Sequence, residues 1–183
     1  HDQVGLVRAL NAVGAASWFG VPDEAEPLLV ESLETARRLH DDIGVASAMV
    51  NLGSGAGEVR RYAVARRWLA EARAFCADRD LDYSGHYATS WVARLDLEQG
   101  DWDRAGELAD HIGSVGTDAI SRIGALTVAG RVRTRRGEDG ATALLDAAWT
   151  EARRSGHLQR LWPVAAGRAE AAWLGGRPEE MPG

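Results

Sequence analysis

The feature of this sequence that most constrains its fold is a turn that recurs at a nearly fixed interval. Helix-breaking positions interrupt the apolar pattern at spacings of 40, 40, 37 and 39 residues. A period of this length is typical of solenoids, in which each repeat is one supersecondary unit. We therefore predict a repeat architecture with its turns at Gly20, Arg60, Gly100, Gly137 and Gly176.

Each period contains two amphipathic helical patterns. One apolar stripe runs through Tyr62, Ala65, Leu69, Ala72 and Cys76. A helix with a single apolar stripe cannot bury it alone, whereas stacked antiparallel pairs bury a continuous core. Alternation of period two never lasts, so no strand is predicted. The predicted fold class is all-α, a right-handed superhelix of stacked antiparallel helical hairpins with a period of about 39 residues.

We expect residues 1–183 to form a single helical-repeat domain. Because the sequence begins with His1 rather than Met, we interpret it as a fragment of a longer chain. The last predicted helix lacks a capping repeat, so we expect it to expose an apolar face and to cause weak self-association. Hairpins are predicted near 3–41, 43–78, 83–113 and 118–155, with the first helix of a fifth near 158–175. The individual helices are predicted at 3–18, 24–41, 43–57, 61–78, 83–99, 102–113, 118–136, 141–155 and 158–175.

A second regularity places small residues seven positions before each later turn, where they would let two helices approach closely. These residues are Gly53, Ala93, Gly130 and Ala169. Alanine also stands five positions after the first three turns, at Ala25, Ala65 and Ala105. The fourth repeat has Thr142 there. Its pattern is therefore either shifted by one residue or more loosely packed.

The stretch LEQGDWDRAGELAD at residues 97–110 could be a calcium loop or a boundary between two helices. A calcium-binding EF-hand loop that began at Asp101 would need an oxygen ligand at its fifth position and Glu at its twelfth. Those positions hold Ala105 and Ile112. We predict instead that Gly100 ends one helix and that Asp101 and Asp103 begin the next, with Trp102 packed between the pair.

Composition removes several functional classes. All 21 basic residues are arginine, so neither a complete P-loop nor a Schiff-base lysine is possible. The single cysteine, Cys76, allows no internal disulfide, and the histidines lack metal-ligand spacing. No catalytic residue, metal ligand or cofactor is therefore predicted in this segment, and we expect the protein not to be an enzyme.

Charge and hydropathy limit the partners. The net charge of −6 argues against direct nucleic-acid binding, and no apolar run is long enough to suggest a membrane span. The expected location is the cytoplasm. Residues 119–183 nevertheless carry 10 arginines against 7 acidic residues, so an anionic group would favour this part of the chain.

The remaining candidate site is the concave groove that the first helices of the hairpins would line. Arg94 and Arg131 come from successive repeats and could together bind a carboxylate or phosphate. Alternatively, they are solvated or paired with acids such as Glu98 and Asp96. A protein partner or a small-molecule inducer is the expected occupant of the groove. Its predicted polar residues are Asn51, Ser54, Tyr87, Ser90, Arg94, Thr127, Arg131 and Glu170.

Two stretches carry a family resemblance. Gly-Asp-Trp-Asp-Arg-Ala at 100–105 and Asn-Leu-Gly at 51–53 resemble a tetratricopeptide repeat, with a period longer than the standard 34 residues. The segment 120–176, ISRIGALTVAGRVRTRRGEDGATALLDAAWTEARRSGHLQRLWPVAAGRAEAAWLGG, is similar to the tetratricopeptide region of LuxR-type, maltose-regulator-like bacterial transcriptional regulators. The resemblance is specific within 84–176 and weak within 1–50.

This resemblance implies a regulatory role. In such regulators the region lies between an ATP-binding domain and a DNA-binding helix-turn-helix, so both activities would belong to other domains of the parent chain. The expected function is a non-catalytic protein- or ligand-binding regulatory module of a signal-transduction ATPase. The alternative is a free-standing tetratricopeptide-type adaptor that binds a protein or peptide.

Overall fold

The computed structural model describes residues 2–115 and 118–177. Within these ranges the chain forms nine α-helices and no strand. All nine lie within three residues of their predicted bounds, and the all-α class of packed helical hairpins is confirmed. The helices are α1 (Gln3–Ser17), α2 (Pro22–Arg38), α3 (Asp42–Glu58), α4 (Tyr62–Asp78), α5 (Asp82–Gln99), α6 (Trp102–Val115), α7 (Ala119–Arg136), α8 (Ala141–Ser155) and α9 (Leu158–Leu174).

Aspartate side chains cap several of the helices at their N-termini. The Asp41 Oδ1 atom accepts a hydrogen bond of 3.0 Å from the Gly44 amide. The Asp118 Oδ1 atom accepts one of 2.7 Å from the Ser121 amide. Each carboxylate satisfies an amide that has no partner inside its helix and lies at the positive end of the helix dipole.

The segment 97–110 is a boundary between helices, as predicted. Gly100 follows the end of α5 with a φ of 91°, a left-handed conformation that glycine adopts without steric cost. Asp101 accepts a hydrogen bond from the Arg104 amide at 3.3 Å, and α6 begins at Trp102. The Trp102 side chain packs against the buried core residues of α5, α6 and α7.

The chain divides into two compact units, and the division falls within α5, between Trp91 and Val92. In the first unit α1 packs on α2 and α3, α2 packs on α3, and α3 packs on α4. Its largest buried side chains are Val7, Trp18, Leu29, Leu33, Leu52 and Leu69. The expectation that residues 1–183 form a single domain stays a prediction.

The second unit contains the end of α5 and helices α6 to α9. Here α6 packs on α7, α7 on α8 and α9, and α8 on α9. One buried cluster joins α5, α6 and α7, and a second joins α7, α8 and α9. The first consists of Ala93, Leu97, Ala105, Ala109, Ile112, Ala125, Val128, Ala129 and Val132, and the second of Ile123, Ala148, Ala152 and Val164.

Glycines mark a close approach between the two helices of a hairpin, and this position is called the closest approach below. A Cβ atom on Gly53 would lie 2.6 Å from the Leu69 Cγ atom, and one on Gly130 would lie 2.7 Å from the Leu145 Cγ atom. The same relation holds in the first hairpin, where a Cβ on Gly14 would lie 2.7 Å from the Leu29 Cγ atom. The hydrogen-only side chain of glycine makes room for a leucine from the second helix at each of these positions.

The irregular fourth repeat is shifted by one residue. Ala25 and Ala65 precede the close-approach leucines Leu29 and Leu69 by four positions. In α8 the residue four positions before Leu145 is Ala141, while Thr142 is exposed. Of the two interpretations left open by the sequence, the structure supports the shift.

Candidate functional site

The first unit contains a polar network on its two first helices, α1 and α3. The Asn51 side-chain amide donates to the Asn11 Oδ1 atom at 3.1 Å, and the Asn11 amide donates to the Ser47 hydroxyl at 2.8 Å. Asn51 belongs to the predicted groove set, whereas Asn11 and Ser47 do not. The 40-residue spacing of Asn11 and Asn51, equal to one repeat, was a signal for their pairing.

Three of the predicted groove residues are buried hydroxyls. Ser90 donates to the Tyr87 carbonyl at 2.8 Å, and Thr127 donates to the Ile123 carbonyl at 2.7 Å, each within its own helix. Ser54 is also buried. The hydroxyl protons of Ser90 and Thr127 therefore already bond to their own helix backbone, and Tyr87 is half-buried.

A cluster of three charged side chains in the second unit joins α7 and α9. The Arg131 Nε atom donates to one oxygen of Glu170 at 2.7 Å, and the Arg135 Nε atom donates to the other at 2.6 Å. All three side chains are about one fifth exposed, at 20%, 22% and 22%. Two guanidinium groups thus share one carboxylate, and the three side chains together carry one excess positive charge.

Further contacts hold Arg135 in place. Its Nη1 atom donates to the Leu97 carbonyl of α5 at 3.3 Å, and its guanidinium lies over the Trp102 ring at 5.5 Å from the centroid. The planar guanidinium can make both contacts while it bonds to Glu170. We refer to Arg131, Arg135 and Glu170 as the two-arginine cluster.

The pKa of Glu170 reflects two opposing effects. Burial by itself raises the pKa, because it disfavours the charged carboxylate. The hydrogen bonds from Arg135 and Arg131, together with their positive charges, outweigh burial and lower the pKa of Glu170 below its ordinary value. The carboxylate is therefore ionised near neutral pH and neutralises part of the charge of the two arginines.

The structure gives the two arginines of the predicted anion clamp separate partners. Arg94 forms an ion pair with Glu98 at 2.9 Å within α5. Arg131 pairs with Glu170, another member of the predicted groove set. A ligand anion would thus encounter arginines that already hold carboxylates. Sequence reasoning missed Arg135, although its spacing of four from Arg131 places both on one helix face.

Two tryptophans off the main apolar stripes are half-buried and lie beneath arginines. The Arg67 guanidinium lies over the Trp68 ring at 4.9 Å from the centroid, and Arg168 lies over the Trp149 ring at 5.3 Å. Trp149 also packs against the second core cluster. Part of each indole surface is therefore covered by the chain itself.

The described residues show neither a metal-ligand group nor a membrane-spanning helix. Across residues 2–115 and 118–177, no three His, Cys, Asp or Glu side chains are grouped as metal ligands. Within the same ranges, no helix combines the length and the apolar character needed to cross a membrane. Cys76 is buried on the core face of α4, and burial raises the pKa of its thiol.

Comparison with protein-family models, curated proteins and solved structures finds no match for this chain. The all-α class accordingly rests on the helices and their packing. The family resemblance rests on the sequence stretches that carry it.

Proposed function

We propose that this chain is a non-catalytic, protein- or ligand-binding regulatory module of a LuxR-type signal-transduction ATPase. The observation that carries the proposal is the two-arginine cluster. It joins first helices of successive hairpins, α7 and α9, inside the segment 120–176 that resembles those regulators. In this proposal the helices recognise a partner or inducer and transmit that event to other domains of the parent chain.

The chemistry of the cluster favours an acidic group as the recognised feature. Arg131 and Arg135 each present a guanidinium that can bond a carboxylate or phosphate oxygen in fixed geometry. Glu170 occupies those donors, so an incoming anion must replace it. Such an exchange would loosen the link between α7 and α9, which offers a route from binding to a change in helix packing.

Replacing Glu170 tests the recognition step. We expect Glu170→Gln to strengthen binding of a hexaglutamate peptide by about tenfold, because the competing carboxylate is gone. Arg131→Ala combined with Arg135→Ala should abolish that binding. Glu151→Gln is the matched control, since Glu151 pairs with Arg122, outside the two-arginine cluster, in the same unit. Equal affinities in Glu170→Gln, Glu151→Gln and the parent chain, measured by calorimetry, would refute the exchange.

The regulatory context has an independent test. The coding sequence on both sides of this segment should contain a GxxxxGK[ST] stretch upstream and a helix-turn-helix downstream. If neither is present, the regulator assignment fails and the adaptor interpretation replaces it. Binding of the hexaglutamate peptide to the two-arginine cluster would be unaffected by that outcome.

A further inference from the structure

Helix α9 exposes an unusual amount of apolar surface along one side. Trp162 is 67% exposed and Trp173 is 70% exposed, although both are large indoles. Their separation of eleven residues is close to three helical turns, so both lie on one face of α9. Leu158, which is 76% exposed, lies one turn before Trp162 on the same side. We call Leu158, Trp162, Ala169 and Trp173 the α9 face.

The repeat register shows what happens at equivalent positions elsewhere. Trp162 lies seven residues before Ala169, just as Ile123 lies seven residues before Gly130. Ile123 is 3% exposed and clusters with Ala148 and Ala152 of α8. The cluster thus combines the second helix of the same hairpin, α8, with Val164 of α9. Val7 and Ala46, at the same register position in α1 and α3, are likewise buried.

The other end of the α9 face gives the same result. Trp173 lies four residues after Ala169, just as Leu97 lies four residues after Ala93. Leu97 is 1% exposed. Leu97 belongs to the cluster that includes Ala105 and Ala109 of α6. The counterparts of Trp162 in α1, α3 and α7 and that of Trp173 in α5 are therefore buried, whereas Trp162 and Trp173 themselves are exposed on α9.

The residue at the closest approach indicates the type of helix that fits. Where the first helix has glycine, the second helix has leucine fifteen or sixteen residues later, as in Gly130 with Leu145. Where the first helix has Ala93, the residue sixteen positions later is Ala109, and both lie in one core cluster. At this register position the second helix thus has leucine in α2, α4 and α8 and alanine in α6.

We propose that the α9 face binds an antiparallel amphipathic helix of the α6 type, which completes a fifth hairpin and has alanine at the closest approach. Ala169 occupies the position of Ala93. A second helix with alanine at the facing position, as in α6, therefore fits α9. A second helix with leucine there, as in α4 and α8, would crowd the Cβ atom of Ala169. The occupant is a hairpin-completing helix rather than a second copy of the chain.

The test supplies such a helix. The full chain is extended after Gly183 by a flexible Gly/Ser linker and a copy of residues 101–115. A short helix is marginal alone in water, and a tether raises its effective concentration to about the millimolar range. We expect hydrogen exchange of the α9 amides to slow by about tenfold on docking. Far-UV circular dichroism should show added helix, and light scattering should show a monomer.

Two matched controls define specificity. In one, the appended copy carries Ala109→Asp and Ile112→Asp, which place charges in its apolar stripe and should abolish the protection. In the other, Ala169→Leu fills the closest approach on α9 and should also abolish it. Unchanged exchange of α9 in the extended chain would overturn the proposal. So would equal protection by the charged copy, or a stable dimer that persists in the extended chain.

Discussion

Substitution of Gly130 by alanine should destabilise the protein, although alanine is the better helix former. The new Cβ atom would lie 2.7 Å from the Leu145 Cγ atom and 2.9 Å from its Cδ2 atom. Leu145 cannot move away easily, because it is 1% exposed and its Cδ2 atom also lies 3.1 Å from the position of a Cβ on Gly167 of α9. Leu145 is therefore enclosed by α7 at Gly130 and by α9 at Gly167.

The magnitude follows from two opposing contributions. Overpacking of a tight core costs about 1 to 3 kcal/mol. Glycine in a helix interior costs roughly 0.5 to 1 kcal/mol relative to alanine, so Gly130→Ala recovers that amount. The free energy of unfolding should therefore fall by up to about 2.5 kcal/mol, with a middle value of about 1 kcal/mol.

A double-mutant cycle isolates the contact itself. Leu145→Ala alone should cost about 2 to 5 kcal/mol, because it leaves a cavity. Gly130→Ala combined with Leu145→Ala recreates the pairing of Ala93 with Ala109. The double variant should therefore be more stable than the sum of the two single effects implies, by at least about 1 kcal/mol.

Equilibrium urea unfolding, followed by circular dichroism, measures these differences. Gly106→Ala in α6 is the matched control, because its Cβ would meet only the Val132 Cγ1 atom at an ordinary 3.8 Å. That variant should gain about 0.5 to 1 kcal/mol. The packing argument is refuted if Gly130→Ala is as stable as Gly106→Ala, or if the two single effects in the cycle are additive.

Four further predictions test other contacts. The folded-state pKa of Glu170 is lowered, so its contribution to stability is present above the ordinary glutamate pKa and is lost as the pH falls through the lowered value. Glu170→Gln should remove this acid dependence, as measured by urea unfolding at pH 3 to 7. At neutral pH the variant should lose about 1 to 2 kcal/mol of stability. Asp41→Ala should cost about 1 kcal/mol, because the Gly44 amide loses its cap, whereas Asp41→Asn should cost less. Cys76 should react with a thiol reagent in urea and remain unmodified in the folded protein, since burial raises its pKa and blocks access. Trp162→Glu should abolish self-association in concentrated solution, as measured by light scattering, and an unchanged mass would show that the α9 face is not involved.

The helices and their pairing could be predicted from the sequence because apolar spacing and turn residues are local signals. Gly100 and Gly137 adopt the left-handed conformation that their position after a helix predicts, and so does Arg60 without being glycine. Gly14 was missed because the residue seven positions before Gly20 is Val13, one residue out of register. The small-residue pattern therefore locates the close-approach residue of a first helix to within one position.

The polar contacts could be predicted only in part. Arg131 and Glu170 were both selected as groove residues, yet their direct pairing depends on how α7 and α9 pack, which apolar spacing does not specify. Arg135 was missed because its main partners come from α5, α6 and α9 rather than from its own helix. Long arginine side chains reach several neighbours, so their partners depend on tertiary packing.

The pairing of glycine with leucine, and of alanine with alanine, limits how such repeats can be exchanged or duplicated. The two positions lie fifteen or sixteen residues apart on opposite sides of a turn, so a crossover between α7 and α8 would separate them. A graft that joined α5 to α8 would place Leu145 against Ala93 and crowd the interface. One that joined α7 to α6 would leave a void beside Gly130. Viable rearrangements of this chain should therefore have their breakpoints between hairpins, and the paired positions should change together among its descendants.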